Sequence, residues 1–164
     1  MIYSWKNRYD VIIEMQQFYP DLQISEEREE SVKLWGNICV NRKISDFTLY
    51  REYKVEILLF KDENKLPEVY DIDSQYPHRY KDGKLCLDTD VAIKIRFENG
   101  IDLCLWMQDF VEVFYFSYEY FKRNGEYPFG ERKHGSDGVI ETYGDYFHVA
   151  QKKSILNCLR YITV

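Results

Sequence analysis

The sequence predicts an α+β fold: an N-terminal helix, an antiparallel β-meander, a loop carrying a cysteine, then central and C-terminal helices. Apolar residues recur at helical spacing near the start and again through the second half. Between those regions, segments alternate in polarity with period two, as half-buried strands do. The connections between these segments are short and polar, which suits antiparallel neighbours; parallel strands need crossovers of about a dozen residues or more.

Ser4 to Tyr19 reads as the first helix. Trp5, Tyr9, Ile12, Ile13 and Gln16 fall in phase, Ser4 is placed to cap the start, and Pro20-Asp21 ends it. Glu26 to Glu30 is an acidic run around Arg28, read as a solvated face or loop. Leu34 to Val40 alternates around Trp35-Gly36, and Leu49 to Phe60 puts Tyr53, Val55, Ile57 and Leu59 on one side. Asp62-Glu63-Asn64-Lys65 is a polar turn, and Pro67 to Ile72 makes a short third strand. Beyond the cysteine loop, Val91 to Phe97 alternates and reads as a further extended piece, with a turn at Asn99-Gly100. Leu103 to Arg123 is the strongest helix: Trp106, Phe110, Val113, Phe114, Ser117 and Phe121 step along one face, and Gly125 stops it. Tyr115, Tyr118 and Tyr120 make it aromatic nearly all round, which predicts burial on both sides. Gly125 to Gly138 reads as a loop, Asp137 as the cap of a helix through Val139, Ile140, Tyr143 and Phe147, and Ala150 to Tyr161 as a last helix. With no repeat and no low-complexity linker, residues 1–164 are expected to form a single domain.

The length suits one sizeable core, and the charge content suits a soluble globular protein. Aromatic residues are abundant, with 15 Tyr, 10 Phe and 3 Trp; such side chains fill irregular cores or contact surfaces. The net charge of −6 argues against a general nucleic-acid binder, which needs clustered Lys and Arg to neutralise phosphates. No apolar run reaches membrane-spanning length, and Met1 to Lys6 has neither the basic start nor the apolar stretch of a signal peptide. Cys39, Cys86, Cys104 and Cys158 are far apart and lack metal-ligand spacing, so no metal and no cofactor is expected. Widely spaced cysteines without an export signal fit reduced thiols in a cytoplasm.

The candidate site is Pro77 to Asp88, Pro-His-Arg-Tyr-Lys-Asp-Gly-Lys-Leu-Cys-Leu-Asp. Pro77 and Asp82-Gly83 punctuate the backbone, and Gly83 can take a positive φ that a side chain resists. A thiol held on such a turn, beside His78 and Tyr80, is a candidate nucleophile; the alternative is a cysteine acting as a small buried hydrophobe.

Gly-Lys-Leu-Cys-Leu-Asp at Gly83 to Asp88, directly after a meander, together with Trp35-Gly36-x-Ile38, resembles the ubiquitin-conjugating enzyme family. Two motifs in order, Pro77-His78-Arg79-Tyr80-x-Asp82-Gly83-x-Leu85-Cys86-Leu87 and Phe129-Gly130-Glu131-Arg132-x-His134-Gly135, are similar to prokaryotic members from anti-phage operons, including cyclic-oligonucleotide (CBASS) systems. The resemblance implies the conjugating fold and a thioester on Cys86. It also implies protein partners: an activating enzyme, and as cargo a ubiquitin-like protein or the C-terminus of a cyclic-oligonucleotide synthase. Eukaryotic members carry His-Pro-Asn ahead of the cysteine; here His78-Arg79-Tyr80 occupies that region without the Asn, and only Pro67 remains of the paired prolines.

Such chemistry needs a thiolate, for which His78 or Lys84 could supply positive charge, and donors for an oxyanion, for which His78, Tyr80 or N–H groups near Leu87 are candidates. Asp88 or Asp90 could help deprotonate an incoming amine. Each has a plainer reading: His78 fixing the turn, the aspartates solvated, His134 bonding loop carbonyls, Arg132 and Lys133 a solvated pair, His148 on the surface and Cys104 in the core. The alternative to an acyl carrier is a catalytically inactive protein-binding module on the same fold; a third reading is a thiol hydrolase pairing Cys86 with His134.

Overall fold

Strict alternation over two long segments builds the centre of the molecule. The computed structural model describes residues 1–71, 76–131, 133, 135–146 and 148. Strands β1 (Gln23–Arg28), β2 (Ser31–Ile44), β3 (Phe47–Phe60) and β4 (Glu68–Tyr70) form a four-stranded sheet in the order β1-β2-β3-β4. Every neighbouring pair is antiparallel, so the expected meander is present. The register sets Leu34 opposite Ile57 and Gly36 opposite Val55, which brings the buried positions of both long strands onto one face. Val32, Leu34, Ile38 and Val40 of β2, and Tyr53, Val55, Ile57 and Leu59 of β3, are buried on it.

The first strand overlaps the acidic run from Glu26, where a solvated face or loop was expected and no strand was. Gln23–Arg28 is almost wholly exposed, so it lacks the apolar alternation that marks a strand, and its pairing with β2 is what orders it. The third expected strand is confirmed as β4 over Glu68–Tyr70; Ile72, its expected end, lies outside the described residues.

Helix α1 runs Arg8–Phe18, shorter than expected at its start. Ser4 is not its cap: the Ser4 N–H and hydroxyl both donate to Asn7 Oδ1, at 2.8 and 3.0 Å, making a bend before the helix opens. Val11, Ile12 and Met15 are buried, whereas Tyr9 and Ile13 point to solvent, so the apolar face is rotated from the expected one.

The central helix comprises α3 (Leu103–Trp106), a π turn (Met107–Val111) and α4 (Glu112–Asn124), and ends at Gly125 as expected. The π turn adds a residue to one turn and shifts the phase of everything after it. Trp106, Met107, Val111, Tyr115 and Phe116 are buried, while Phe110, Val113, Phe114 and Phe121 are half-buried. Two inward-facing arginines tie this helix to the sheet. Arg42 donates to Glu112 Oε2 at 2.8 Å and to the Gln108 carbonyl inside the π turn. Arg51 meets Glu119 at 3.1 Å.

Glu119 also accepts from the Tyr76 hydroxyl and from Lys122. Burial alone would raise its pKa, but the bonds from Lys122 and Tyr76 and the charges of Lys122 and Arg51 outweigh it and hold it below the ordinary value. A depressed carboxyl stabilises the fold fully above its unfolded pKa of about 4.3 and loses that contribution as pH falls through the lower folded value. The urea midpoint is therefore expected to fall more steeply in the parent than in Glu119→Gln between about pH 4.5 and 3. Parallel curves for the two proteins would contradict this linkage.

The chain forms two compact units: Met1–Leu87 with Phe97–Phe129, and Asp88–Arg96 with Gly130–Val164. In the second, Asp90–Arg96 is helix α2, correcting the extended piece expected over Val91 to Phe97. Its start explains this: Thr89 Oγ1 accepts the Ala92 N–H at 3.1 Å, and the Thr89 carbonyl accepts the Ile93 N–H at 3.2 Å. Helix α5 (Gly135–Tyr146) begins before Asp137, which therefore lies in its first turn and is not the cap, and the loop expected to run to Gly138 ends sooner. The Thr142 hydroxyl of α5 lies 2.9 Å from that of Thr89. The expected last helix from Ala150 to Tyr161 lies outside the described residues, as do Arg132, His134 and Cys158. Among the described residues no helix is long and apolar enough to cross a membrane.

Candidate functional site

The cysteine loop is a narrow hairpin seated on the sheet edge. Arg79 and Leu85 form an antiparallel bridge, flanked by Tyr80 N–H to the Lys84 carbonyl at 2.8 Å and Cys86 N–H to the His78 carbonyl at 2.7 Å. The tip closes through Gly83 N–H to the Tyr80 carbonyl at 3.0 Å, with Gly83 at φ +90°. That left-handed backbone is why a glycine stands there. Asp82 helps, its carboxylate accepting the Lys84 N–H at 3.1 Å.

The returning arm also pairs with β4. Leu85 N–H donates to the Val69 carbonyl at 2.8 Å, and Asp71 N–H donates to the Gly83 carbonyl at 3.1 Å. Lys84 Nζ reaches Glu68 on β4 at 3.0 Å, and the Tyr70 hydroxyl donates to the same carboxylate at 2.7 Å. Leu85 is buried, anchoring the arm. Cys86 follows at once, half-buried, where the paired backbone ends.

The structure thus brings Cys86 and His78 together through the main chain. His78 has φ +59°, a left-handed conformation that costs a non-glycine residue about 1 kcal/mol or more. Its ring sits edge-to-face on Tyr127 at 6.0 Å, and Tyr127 stacks on Phe121 of α4 at 4.6 Å. His78 thus meets Tyr127 through its ring and Cys86 through its carbonyl. Tyr80 is exposed, with the Lys84 ammonium 5.0 Å above its ring. Asp88 belongs to the second unit, where its carboxylate accepts the Thr89 N–H at 2.7 Å beside the start of α2. Asp90 is exposed in the first turn of that helix, and His148 is exposed as expected.

The other described cysteines are set apart from this arrangement. Cys104 is buried in α3, as expected; burial first, then the Glu14 and Asp102 charges, pushes its pKa up to about 11, so it stays a thiol at neutral pH. Cys39 lies on the outer face of the sheet opposite Glu52. Among the described residues no group of His, Cys, Asp and Glu is arranged to hold a metal ion. An open groove of about 280 Å³ crosses the outer face of the sheet, but its charges are matched within it: Arg28 with Glu26 at 2.7 Å and Lys33 with Glu56 at 3.3 Å.

Beneath the hairpin lies a feature that sequence reasoning missed. Asp71, only 5% exposed, accepts from the Tyr115 hydroxyl of α4 at 2.8 Å. Tyr115 stacks on Tyr53 at 3.9 Å and is fully buried; burial, then the Asp71 charge and hydrogen bond, raises its pKa far above the ordinary tyrosine value.

No family model matches this chain, and no curated protein or solved structure matches it either.

Proposed function

We propose that the protein is a thioester-forming acyl carrier of the ubiquitin-conjugating-like kind, with Cys86 as the nucleophile. The observation that carries this reading is the placement of Cys86: half-buried, at the first position past a hairpin pinned to both β4 and His78. Such a thiol is held still without being sealed in the core. The resemblance of Gly83 to Asp88 to the family's cysteine motif supports the same reading, as does the helix-and-meander order.

The chemistry is two acyl transfers. The Cys86 thiolate attacks an acyl carbon held as a thioester on an activating partner; a new C–S bond forms, the old one breaks, and the partner's thiolate leaves. An amine on an acceptor then attacks the same carbon, an amide forms, the Cys86 thiolate departs, and the ammonium proton passes to solvent. The Cys86 N–H is engaged by the His78 carbonyl, so donors for the oxyanion must come from elsewhere in the loop. The cargo in this reading is the C-terminal carboxyl of a ubiquitin-like protein or of a cyclic-oligonucleotide synthase, in a prokaryotic defence setting.

Incubation with the activating partner, cargo and ATP is expected to give an adduct of cargo mass on the parent protein that a thiol reductant removes. Cys86→Ala should give none. An adduct that forms equally on Cys86→Ala would remove the assignment. Iodoacetamide reacting with Cys86 no faster than with a thiol peptide, alongside tight partner binding, would favour the inactive binding module instead.

A further inference from the structure

We propose that the buried Asp71–Tyr115 pair is the positioning element for Cys86, transmitting the fixed geometry of the central helix to the cysteine hairpin. This rests on the reading of Cys86 as the reactive thiol and adds to it the residues that hold that thiol in register.

Asp71 is the residue on which the connections converge. Its side chain binds the central helix through Tyr115 at 2.8 Å, and its N–H binds the hairpin through the Gly83 carbonyl at 3.1 Å. Its carbonyl lies 3.5 Å from Arg79 Nη1, on the opposite arm. One residue thus touches helix, outgoing arm and returning arm. The last β4 position is Tyr70, so Asp71 is where the strand would otherwise fray. Burying a carboxylate is costly unless it is bonded, and a three-residue edge strand is a poor anchor by itself; the Tyr115 hydroxyl answers both demands. Tyr115 can serve as the fixed end because it is locked by its stack on Tyr53. Loss of its hydroxyl leaves the ring packing in place and removes the bond that ties Asp71 to the central helix, which loosens Asp71, and with it Gly83, at the β4 edge.

The test is the reactivity of Cys86 towards iodoacetamide as a function of pH, read by peptide mass spectrometry, with Cys39 as the internal reference. Tyr115→Phe is expected to slow Cys86 alkylation at pH 7 by at least about threefold and to move its pH midpoint by about half a unit, with Cys39 unchanged. Asp71→Ala removes the acceptor for Tyr115 while keeping the Asp71 N–H and carbonyl, and should slow Cys86 alkylation at least as much as Tyr115→Phe does. Tyr53→Phe removes a hydroxyl from the same cluster that does not bond Asp71, and should leave Cys86 unaffected. A purely structural bond would lower the melting temperature of Tyr115→Phe without moving the pH profile, and that result overturns the proposal. Equal effects in Tyr53→Phe and Tyr115→Phe overturn it too.

Amide exchange gives a readout that needs no reactive thiol. The Leu85 and Cys86 N–H groups should exchange about tenfold faster in Tyr115→Phe, with the Ile57 N–H unchanged, and unaltered exchange at both overturns the proposal. If the exchange result holds but no thioester adduct ever forms on the parent, the carrier reading fails while the positioning role stands. If the adduct forms and Tyr115→Phe behaves as the parent, the positioning role alone fails.

Discussion

Cys86→Ser, charged under the same conditions as the parent, is expected to carry an adduct that survives thiol reductant and is cleaved by hydroxylamine. The reason is the leaving group. A thioester hands its electrons to a thiolate, the conjugate base of an acid with pKa about 8.5, whereas an oxygen ester must expel a far more basic alkoxide. Transfer onward to an amine should therefore slow by at least about a hundredfold, and the adduct should accumulate. Loading should slow as well, because a serine hydroxyl is almost wholly protonated at neutral pH and is a far weaker nucleophile than a thiolate. The serine oxygen is shorter-reaching than sulfur but leaves the hairpin untouched, since Cys86 is held by its N–H and not by its side chain alone. Gel mobility with and without reductant, followed by hydroxylamine treatment, reads the outcome. A serine variant whose adduct is as reductant-labile as the parent's would place the thioester on another residue. Cys104 is a poor substitute, since its burial keeps it protonated; Cys39, on the outer face, would be the first to examine.

What was legible in the sequence followed the regularity of its signals. Strands β2 and β3 showed themselves because apolar residues alternate over Val32–Val40 and Tyr53–Leu59, and the one-sided burial follows that alternation. Strand β1 did not, because an exposed edge strand needs only backbone pairing and tolerates the run Glu26-Glu27-Arg28. Helix α2 alternates in sequence yet winds as a helix; a seven-residue segment is too short for periodicity to decide, and the Thr89 cap decides it. The central helix was found, but its buried face was misplaced, because the π turn at Met107–Val111 resets the phase and leaves no mark in composition. At the site, Pro77, Asp82 and Gly83 announced the turn, and the hairpin confirms it. The Asp71–Tyr115 bond joins residues 44 apart, between a strand end and a helix, and no local pattern could have paired them.

Gly36→Ala is expected to destabilise the protein by about 3 kcal/mol or more, a fall in melting temperature of roughly 6–12 °C. Gly36 sits on the buried face of β2, where the chain leaving α1 crosses it. A Cβ there would lie 2.1 Å from the Asp21 carbonyl oxygen and 2.6 Å from the Asp21 carbonyl carbon. Both are backbone atoms, so no side chain can swing aside to make room. The neighbouring Leu22 is fully buried, which prevents the crossing strand from lifting without exposing it. Gly36 also has φ +155°, so an alanine would carry backbone strain as well. Gly125→Ala separates the two costs. That glycine has φ +79° and nothing within 4 Å of a new Cβ, so its variant should lose only the left-handed strain, about 1 kcal/mol. The difference between the two variants, read from urea midpoints at constant slope, then measures the steric cost of the crossing. Equal losses in both would mean that the Asp21 carbonyl yields to the methyl group, and that the close approach does not constrain how α1 docks on the sheet.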